Sequence, residues 1–359
     1  MNGLKFWAGL ESYLFRFIKF CNIQSEQFSI TLLCRGTINE SLETKFTDLG
    51  VTVDQISLDS YSLYDYFSLY KKIKAGDYDA VCDFSGCLSG PSIFIAFLLG
   101  IKIRIASYRE SRFQFKATKL KLFISFISKL MVIFFSTRMI SNSSEAFNYF
   151  HPIVKGHKKL KVIENSIDGF FEPPHKDVRN KFLSPLKIKD DCFVIGHVGR
   201  FNTSKNHKLL VKFIEHINSS DKNIHFIFCG KGVEQGVNNL NNNLLNIHFF
   251  EHLDNLGEFF HAIDLFIFPS INEGQPNALL EAMSSGVPVL VSNIPPIKSI
   301  FPKDIKFKFF DPYELDELKD LYEFYKEDEA RYPKEEIVDW VNKQYSSNKN
   351  FSLFLEEFK

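Results

Sequence analysis

Short apolar runs rich in β-branched and aromatic residues alternate with segments of helical length along most of the chain. The runs cover residues 28–34, 78–84, 101–107, 160–166, 192–199, 224–230, 247–252, 265–270 and 288–293. Between several of them lie stretches of helical length, such as 207–217 and 277–285. Strands that are apolar on both faces and separated by helices are typical of parallel sheets covered on both sides. The sequence therefore predicts an α/β fold.

The chain length and one proline-rich segment predict two domains. The 359 residues correspond to a little over two domains of about 150 residues each. Residues 170–190 contain three prolines and many charges without a sustained period, which is typical of a connection between domains. We expect domains over residues 1–172 and 185–344. A helical tail over 345–359 could dock on either domain, and we expect it to return to the first.

The first domain lacks an obvious first strand. Residues 9–21 have the pattern of an amphipathic helix, and no apolar strand-like run stands in front of them. In a doubly wound sheet the strand before the first helix is usually central. We therefore expect an open slot in this sheet. Either a strand lies upstream of Met1 or this half of the domain is irregular.

The charge balance argues against a nucleic-acid partner, and the cysteines argue against disulfide bonds or a metal centre. Lys and Arg total 43, as do Asp and Glu, so the chain has no overall positive charge with which to bind a phosphate backbone. The six cysteines lie apart, without a CxxC pair and without a histidine cluster at ligand spacing. This pattern favours free thiols in a reducing cytoplasm and predicts no metal site.

The strongest chemical signal is the stretch 265–293, where an apolar strand leads through a loop into a helix and then a second strand. Pro276 stands where the first helical turn would begin, and Gly286 stands where the helix would end. The N–H groups at this helix start, from about Gly274 to Asn277, would point to the carboxyl edge of the sheet. Such groups can bind a phosphate or another anionic oxygen.

Two glutamates flank this predicted anion site. Glu273 stands at the lip of the loop, and Glu281 follows eight residues later on the helix. One carboxylate could contact a group beside the phosphate while the other reaches further along the same ligand, which suits hydroxyl-rich ligands such as a sugar and a ribose. Either glutamate alone would be an ordinary loop or surface residue. The combination with the helix start favours a ligand site.

A second signal lies in residues 196–207, where an apolar strand ends at Gly199. Arg200 and Lys205 bracket a short loop ahead of a helix that begins near Asn206. Two cations at the carboxyl end of a strand can neutralise a diphosphate, arginine as a planar fork and lysine as a point charge. Each cation alone would be a solvated loop residue. In the same domain as the predicted anion-binding helix, the pair favours a common diphosphate site.

Together these motifs resemble the donor-binding half of retaining glycosyltransferases of the GT-B fold, and more narrowly family-4 enzymes of bacterial polysaccharide assembly. The residues that carry the resemblance are Gly199-Arg200 with Lys205-Asn206, Phe228 to Gly232, Asp264 ahead of Phe268 to Ser270, and Glu273-Gly274 with Glu281-Ala282. Weaker similarities in the first domain are Tyr78-Asp79, Arg104 to Ala106, Ser143 to Glu145 and Val162 to Asp168. The resemblance implies two Rossmann-like domains that face each other across a cleft. The first would bind the acceptor and the second the nucleotide-sugar donor.

The resemblance also implies a role for each donor-site residue. Arg200 and Lys205 would hold the diphosphate, Glu273 and the backbone after it would contact the donor sugar, and Glu281 would bind the ribose hydroxyls. Glu273, Arg200 and Lys205 are therefore the expected catalytic residues. The expected donor-binding residues are Gly199, Arg200, Lys205, Gly230, Glu273, Gly274, Gln275, Pro276, Asn277 and Glu281. The family needs no metal ion, and no cofactor is implied besides the donor itself.

The first domain departs from the family pattern at two candidate positions. The family usually has a Gly-Gly loop where Ala8-Gly9 stands here, and often a histidine just after the Arg-Ile-Ala run, where Ser107 to Glu110 follows. Gly9 and Arg109 are therefore candidates for binding the acceptor or a phosphate. Arg109 could equally be a surface arginine paired with Glu110.

A basic band in the first domain indicates a lipid surface. Residues 102–161 contain thirteen Lys or Arg against two Glu. Within 102–135 the pattern is that of an interfacial helix, with basic residues on one face and apolar residues on another. Each basic residue near anionic headgroups contributes about 1 kcal/mol. The basic face is formed by Arg112, Lys116 and Lys119, and the apolar face by Phe113, Ala117, Leu120, Ile124 and Ile127.

A core-facing helix with a solvated basic face explains the same pattern, and the sequence leaves both interpretations open. No apolar run approaches the roughly 20 residues that cross a bilayer, and no secretory signal pattern is visible. We expect a cytoplasmic protein that binds peripherally to the inner membrane face.

The expected function is that of a hexosyltransferase. It would transfer a sugar from a nucleotide-diphosphate sugar, with retention, to a hydroxyl of a lipid-linked glycan acceptor in capsule or lipopolysaccharide assembly. A second hypothesis is a non-catalytic nucleotide-sugar binder or inactive partner subunit, motivated by the missing strand and the absent histidine. A third, a sugar-nucleotide epimerase of the same fold, would leave the basic band without a purpose.

Overall fold

The structure, a computed structural model, divides the chain into two units. Residues 9–24, 28–57, 62–109, 118–151, 158–167, 176–253, 255–328 and 332–359 are described. The N-terminal unit comprises Met1–Ser166 and Ser347–Lys359, and the C-terminal unit comprises Ile167–Ser346. The tail of the chain therefore belongs to the N-terminal unit.

Helices and strands alternate in the N-terminal unit, and its strands form two parallel sheets. The elements are α1 (Gly9–Ile23), β1 (Thr31–Arg35), α2 (Glu40–Thr47), β2 (Thr52–Ile56), α3 (Leu63–Gly76), β3 (Ala80–Asp83), α4 (Gly90–Leu98), β4 (Ile103–Tyr108), α5 (Lys119–Phe135), β5 (Arg138–Ser141), α6 (Ser144–Phe150), β6 (Leu160–Val162) and, after the C-terminal unit, α15 (Ser347–Glu356). Strands β1 and β2 form a parallel pair. Strands β3, β4, β5 and β6 form a second parallel sheet in that order.

The two sheets are separated where the sequence predicts an open slot. In a doubly wound sheet the first strand lies between the second strand and the fourth, a position that here corresponds to the space between β1 and β3. Among the described residues, no strand pairs with the second edge of either β1 or β3. Long side chains approach each other at the strand ends, since Arg35 Nη2 lies 3.9 Å from Asp83 Oδ2.

Helix α15 packs on α1 through aromatic rings. The ring of Phe17 lies 5.6 Å from that of Phe351 and 4.9 Å from that of Phe354, both in edge-to-face geometry. The buried Glu357 carboxylate pairs with Arg138 Nε at 3.0 Å and Lys161 Nζ at 2.6 Å. Apolar and ionic contacts therefore both attach the tail to the N-terminal unit.

The C-terminal unit contains one continuous parallel sheet. Its elements are α7 (Lys176–Leu183), β7 (Phe193–Val198), α8 (His207–Ser220), β8 (Ile224–Cys229), α9 (Val233–Leu240), β9 (Ile247–Phe250), α10 (Leu256–Ala262), β10 (Leu265–Phe268), α11 (Asn277–Ser284), β11 (Val289–Val291), α12 (Pro295–Lys298), α13 (Leu315–Glu327) and α14 (Lys334–Gln344). The five strands lie in the order β11-β10-β7-β8-β9 and all pairs are parallel. Apolar clusters cover both faces of this sheet, as its apolar strands predict.

Part of the segment expected to connect the domains is instead a helix of the C-terminal unit. On α7, Arg179 donates to both carboxylate oxygens of Asp264 at 3.0 Å each and to the carbonyl oxygen of Cys192 at 3.0 Å. Leu183 at the end of α7 is buried in the core. The segment has the charged composition of a linker, but one of its charges, on Arg179, belongs to a structural ion pair with Asp264. The first part of the expected connection, residues 168–175, lies outside the described residues.

Candidate functional site

The strand order reverses between β7 and β10 in the C-terminal unit. From β7 the chain continues to β8 and β9 on one side, whereas β10 and β11 lie on the other. In open parallel sheets, ligands bind at the carboxyl ends of the strands where the order reverses. Two loops leave the sheet at this point, the cation loop (residues 199–206) after β7 and the glutamate loop (residues 269–276) after β10.

An ion pair joins the two loops. Lys205 Nζ donates a hydrogen bond to Glu273 Oε1 at 2.7 Å, with side-chain exposures of 18% and 12%. The same ammonium lies 4.6 Å from the centroid of the Phe268 ring. The backbone N–H of Ile271 donates to the carbonyl oxygen of Ser204 at 2.8 Å. The predicted cation and the predicted acid are therefore in direct contact.

Asn206 fixes the end of the cation loop. Its φ of 54° lies in the left-handed region, which asparagine tolerates better than most residues. Its side-chain amide donates to the carbonyl oxygens of Pro269 at 3.3 Å and Pro312 at 2.7 Å. This residue therefore connects the cation loop to the glutamate loop at a second point.

The predicted glycines lie where two strand ends approach each other. A Cβ atom at Gly230 would stand 2.2 Å from the carbonyl oxygen of Gly199, which leaves no room for a side chain. A Cβ atom at Gly199 would stand 3.1 Å from Lys205 Cδ and 3.2 Å from His197 Nε2. These glycines allow the backbone after β7 to lie against the backbone after β8.

The start of α11 follows the glutamate loop at the same sheet edge. We call the place where the cation loop, the glutamate loop and the start of α11 meet the crevice. Pro276 is the cap residue of this helix, and the first intrahelical bond is donated by the N–H of Leu280 to the carbonyl oxygen of Pro276. The N–H groups of the first turn therefore have no acceptor within the helix. Glu281 lies just over one turn into α11 and is 7% exposed. Gly274 and Gln275 belong to the glutamate loop that precedes the cap.

Arg200 follows Gly199 at the carboxyl end of β7, and it is exposed to solvent. It thus lies on the same sheet edge as Lys205. Among the described residues, no carboxylate forms an ion pair with it as Glu273 does with Lys205. An exposed arginine at this edge is available to an incoming anion.

Two buried histidines beneath the cation loop were not predicted from the sequence. The imidazole of His197 on β7 lies 5.0 Å from that of His207, the first residue of α8, in edge-to-face geometry. Burial lowers the pKa of His197 well below its ordinary value. Burial and then the Lys205 charge lower the pKa of His207 to about 4. The one signal in the sequence was a histidine inside an otherwise apolar strand.

In the N-terminal unit, Arg109 is turned inward. It follows β4, its guanidinium lies 3.6 Å from the centroid of the Tyr13 ring, and its Nη1 donates to Asn165 Oδ1 at 2.6 Å. The interpretation as a surface arginine is therefore wrong, and Glu110 lies outside the described residues. Gly9, the other candidate, is the first residue of α1. It precedes Tyr13 by about one helical turn.

The described residues contain no group of three or more His, Cys, Asp or Glu side chains arranged to hold a metal ion. The six cysteines are free thiols.

Sequence comparison places both loops in a known family. The family model of glycosyl transferases group 1 matches residues 178–345. A relative from Escherichia coli, named UDP-Gal:alpha-D-GlcNAc-diphosphoundecaprenol alpha-1,3-galactosyltransferase, is 30% identical over 300 residues, which are 76% of this chain and 73% of the relative. A relative from Bacillus subtilis is 28% identical over 141 residues, and the match spans only 38% of this chain and 36% of that protein.

Structural comparison agrees over nearly the whole chain. The crystal structure of Anabaena Alr3699/HepE in complex with UDP-glucose matches with a TM-score of 0.80 at 16% identity, covering 99% of this chain and 97% of that one. This likeness confirms the predicted α/β class and GT-B fold. With a 30% identical relative matched over most of its length, the chain belongs to the glycosyl transferases group 1 family.

Proposed function

We propose that this chain is a retaining glycosyltransferase that moves a hexose from a nucleotide-diphosphate sugar to a hydroxyl of a lipid-linked glycan. The single observation that carries the proposal is the crevice between β7 and β10, where the Lys205–Glu273 ion pair and the start of α11 lie together. The crevice offers positive charge, a helix start whose N–H groups have no acceptor within the helix, and a carboxylate at one sheet edge. These are the groups that a sugar diphosphate requires.

The cations and the helix start would act on the leaving group. When the bond between the anomeric carbon and the diphosphate oxygen breaks, negative charge grows on the diphosphate. Once the donor is bound, Arg200, Lys205 and the N–H groups at the start of α11 would stabilise that charge without further movement during the reaction. The acceptor oxygen bonds to the anomeric carbon on the face that the diphosphate leaves, and its proton departs with the diphosphate.

The carboxylates would orient the donor. In the unliganded chain Glu273 pairs with Lys205. A bound diphosphate would replace Glu273 as the partner of Lys205, which leaves the carboxylate to accept hydrogen bonds from the donor sugar. Glu281, further along α11, is assigned to the ribose hydroxyls. No step in this scheme requires a metal ion.

Two relatives support the choice of substrates. The Escherichia coli relative is named as an enzyme that takes UDP-Gal and a diphosphoundecaprenol-linked acceptor, and Anabaena Alr3699/HepE was crystallised with UDP-glucose. We therefore place this chain in bacterial surface-polysaccharide assembly. We assign the acceptor to the N-terminal unit, at the end of β4 where Arg109 lies and at the start of α1 where Gly9 lies.

Transfer from a panel of radiolabelled nucleotide sugars to polyprenyl-diphosphate-linked sugars tests this proposal. We expect product with the wild-type chain, with and without a chelator, and a rate at least about 10²-fold lower with Glu273→Gln. Lys208→Ala, an exposed lysine on α8, should leave the rate unchanged. Proton NMR of the product should show the anomeric configuration of the donor. Donor binding with neither transfer nor hydrolysis would instead support the non-catalytic binder.

We further propose that the N-terminal unit binds an anionic membrane surface through an apolar patch on α4 and α5. The patch consists of large apolar side chains that are 37–71% exposed. They are Phe97, Leu98, Leu120, Leu122, Phe123, Phe126, Ile127 and Phe134. Large exposed apolar side chains grouped on two neighbouring helices are typical of a surface that docks on a membrane or another protein.

Small residues on the buried side of α5 explain why the large ones point outward. Ser125 and Ser128 face the core, and Ser128 Oγ accepts a hydrogen bond from the N–H of Gly90 at 2.9 Å. A Cβ atom at Gly90 would stand 2.4 Å from the Ser128 carbonyl oxygen. At this crossing of α4 and α5 no space remains for phenylalanine or leucine. Away from it, Phe94 and Phe97 on α4 pack against Phe135 on α5. This arrangement disfavours the core-facing interpretation of the helix.

The charge available to lipid is smaller than the sequence indicates. Lys102, Lys119 and Lys121 are exposed near the patch, but Arg138 and Lys161 pair with Glu357. The predicted basic residues Arg112 and Lys116 lie within 110–117, outside the described residues, and α5 begins at Lys119. No helix in the described part of the chain has the length and apolarity to cross a bilayer.

Sedimentation with lipid vesicles tests the patch. Phe123→Ser with Phe126→Ser should lower affinity for phosphatidylglycerol-containing vesicles at least tenfold because it removes about 3 kcal/mol of apolar burial. Leu245→Ser, which alters an exposed apolar residue of the C-terminal unit, is the control. Equal sedimentation of the double variant and the wild type would refute the patch. If the wild type no longer binds the vesicles in 0.5 M salt, charge rather than the patch holds the protein on the lipid.

A further inference from the structure

The hydrogen-bond ladder between β7 and β10 stops before the strands end. The last paired residues are Gly196 and Phe266. One residue further on, a side-chain hydrogen bond takes the place of the backbone bonds. His197 Nδ1 lies 2.9 Å from the carbonyl oxygen of Ile267. The imidazole therefore bridges the two strands at the point where the crevice begins.

This bridge fixes the state of the imidazole. A carbonyl oxygen only accepts hydrogen bonds, so Nδ1 must carry the proton. Because burial holds the pKa of His197 well below its ordinary value, the ring is neutral and Nε2 carries a lone pair. Within the part of the chain that the structure describes, Nε2 is inaccessible to solvent and has no hydrogen-bond partner.

The lone pair faces the base of the cation loop. A Cβ atom on Gly199 would lie 3.2 Å from His197 Nε2, 3.1 Å from Lys205 Cδ and 3.2 Å from Lys205 Cε. The stem of Lys205 and the imidazole therefore both lie against Gly199, which has no side chain to fill the space beside them. A protonated ring here would place a second positive charge beside the ammonium.

Packing alone does not require a histidine at this position. The rings around His197 are aromatic, with Phe228, Phe266 and Phe268 at centroid distances of 5.9–6.4 Å. Phenylalanine would fill the same space without the cost of burying polar nitrogen. The imidazole adds a hydrogen bond to β10 and a neutral acceptor beside Lys205.

A second ring holds the first in place. His207 packs edge-on to His197 at 5.0 Å, and it lies 5.0 Å from the ring of Phe201 in the cation loop. Phe201 in turn fills the space over Gly236, where a Cβ atom would stand 2.3 Å from its ring. The imidazole pair therefore supports the cation loop from below.

We propose that His197 is a positioning residue for Lys205. It holds the carboxyl ends of β7 and β10 at the separation that lets Lys205 reach Glu273, and it presents an uncharged surface to the lysine stem. It does not contact substrate. The inference rests on the proposed function only in taking a diphosphate as the ligand that Lys205 binds.

Titration calorimetry with inorganic pyrophosphate and with uridine diphosphate tests the binding consequence. We expect His197→Phe to weaken binding about tenfold, the size of one lost hydrogen bond. His197→Asn, whose amide can occupy the Nδ1 position and donate to Ile267, should recover most of the affinity. His225→Phe is the matched control, because His225 lies near the amino-terminal end of β8, away from the carboxyl ends of the strands. Unchanged affinity in His197→Phe would overturn the proposal.

A double-mutant cycle separates positioning from general support of the fold. If His197 acts through Lys205, His197→Phe should have no further effect on pyrophosphate affinity in a Lys205→Ala background. Equal weakening in both backgrounds would overturn the proposal.

A second cycle, on the free energy of unfolding without ligand, decides the same question if the wild-type chain binds no diphosphate. Non-additive changes for His197→Phe and Lys205→Ala support coupling, and additive changes refute it. Absence of diphosphate binding by the wild type would count against the proposed function and not against this coupling.

Discussion

The two units differ in how their sheets are built and in where their polar side chains find partners. In the C-terminal unit, five strands pair without interruption, and the ion pair between Lys205 and Glu273 joins two loops at one sheet edge. In the N-terminal unit the strands divide into a pair and a sheet of four. Arg109 there is held by Tyr13 and Asn165, which are far apart in the sequence.

This difference explains why only one of the two sites can be read from local motifs. A site made of loops that directly follow strands is encoded in short segments, because the sheet itself brings the loops together. A site made of a side chain enclosed by distant helices depends on tertiary packing. The C-terminal unit should therefore respond to single changes in its loops, and the N-terminal unit to changes in the elements that close it.

The largest expected effect is on catalysis in the C-terminal unit. Glu273→Gln and Lys205→Ala should each lower kcat about 10²- to 10³-fold, the cost of removing one preorganised stabilising group. Arg109→Lys, in the N-terminal unit, should leave the affinity for the donor nucleotide unchanged. Steady-state kinetics and nucleotide titration measure both quantities. A loss of nucleotide affinity in Arg109→Lys would break the assignment of donor binding to the C-terminal unit.

The next largest difference between the units is expected in the stability lost when a glycine is replaced by alanine. Gly230→Ala places a Cβ atom 2.2 Å from a backbone oxygen, and we expect it to destabilise the protein by about 3 kcal/mol or more because the backbone must shift. Gly100→Ala, in the N-terminal unit, has a φ of +75° but no atom within 4 Å of the new Cβ. It should cost about 1 kcal/mol. Urea unfolding curves provide the comparison, and similar losses would contradict the close approach of β7 and β8.

Acid should destabilise both units through buried histidines. Burial lowers the pKa of His151 in the N-terminal unit and of His207 in the C-terminal unit to about 4, below the unfolded value of about 6.5. Above pH 6.5 both states bind no proton and the lowered pKa has no effect on stability. Below it the unfolded state takes up the proton first, so stability falls until the pH reaches about 4. At pH 5 the loss is about 2 kcal/mol per histidine. Between pH 7 and pH 5, the free energy of unfolding should fall less in His207→Asn than in the wild type. An equal fall would argue against the lowered pKa of His207.

The smallest expected effect concerns the helix that closes the N-terminal unit. Glu357→Gln removes the charge that pairs with Arg138 and Lys161, and we expect a loss of about 1 kcal/mol because the ion pairs are only partly buried. Glu356→Gln is the matched control, since that carboxylate is exposed and forms an exposed ion pair with Lys359. Differential scanning calorimetry compares the two variants. Equal Tm values would show that aromatic packing alone holds α15.

Strands and loops with strong local signals were predictable from the sequence. Each of the nine apolar runs overlaps a strand, and the helix predicted over 277–285 is observed at Asn277–Ser284. Most of these runs are apolar on both faces of the strand, so composition alone identifies them. The cation and glutamate loops were predictable for the same reason, because each follows such a strand.

The remaining features depend on information that the local sequence does not hold. Strand β2 is an edge strand with polar residues such as Asp54 and Gln55, and β5 is a four-residue strand directly after the apolar helix α5. Neither has a distinctive apolar run. The outward orientation of the large side chains of α5 depends on the contact between Gly90 and Ser128, two residues that are unremarkable in sequence. The role of His197 depends on a carbonyl group seventy positions away.

The return of α15 to the N-terminal unit fixes an order of assembly. During synthesis, the strands of the N-terminal unit leave the ribosome first, yet the aromatic side of α1 that Phe351 and Phe354 cover stays bare until the final helix emerges. Ile167–Ser346 is complete before that moment. The nascent chain therefore has exposed apolar surface on its N-terminal unit while its C-terminal unit is already complete. A premature stop within α15 would leave this apolar surface accessible to chaperones and proteases.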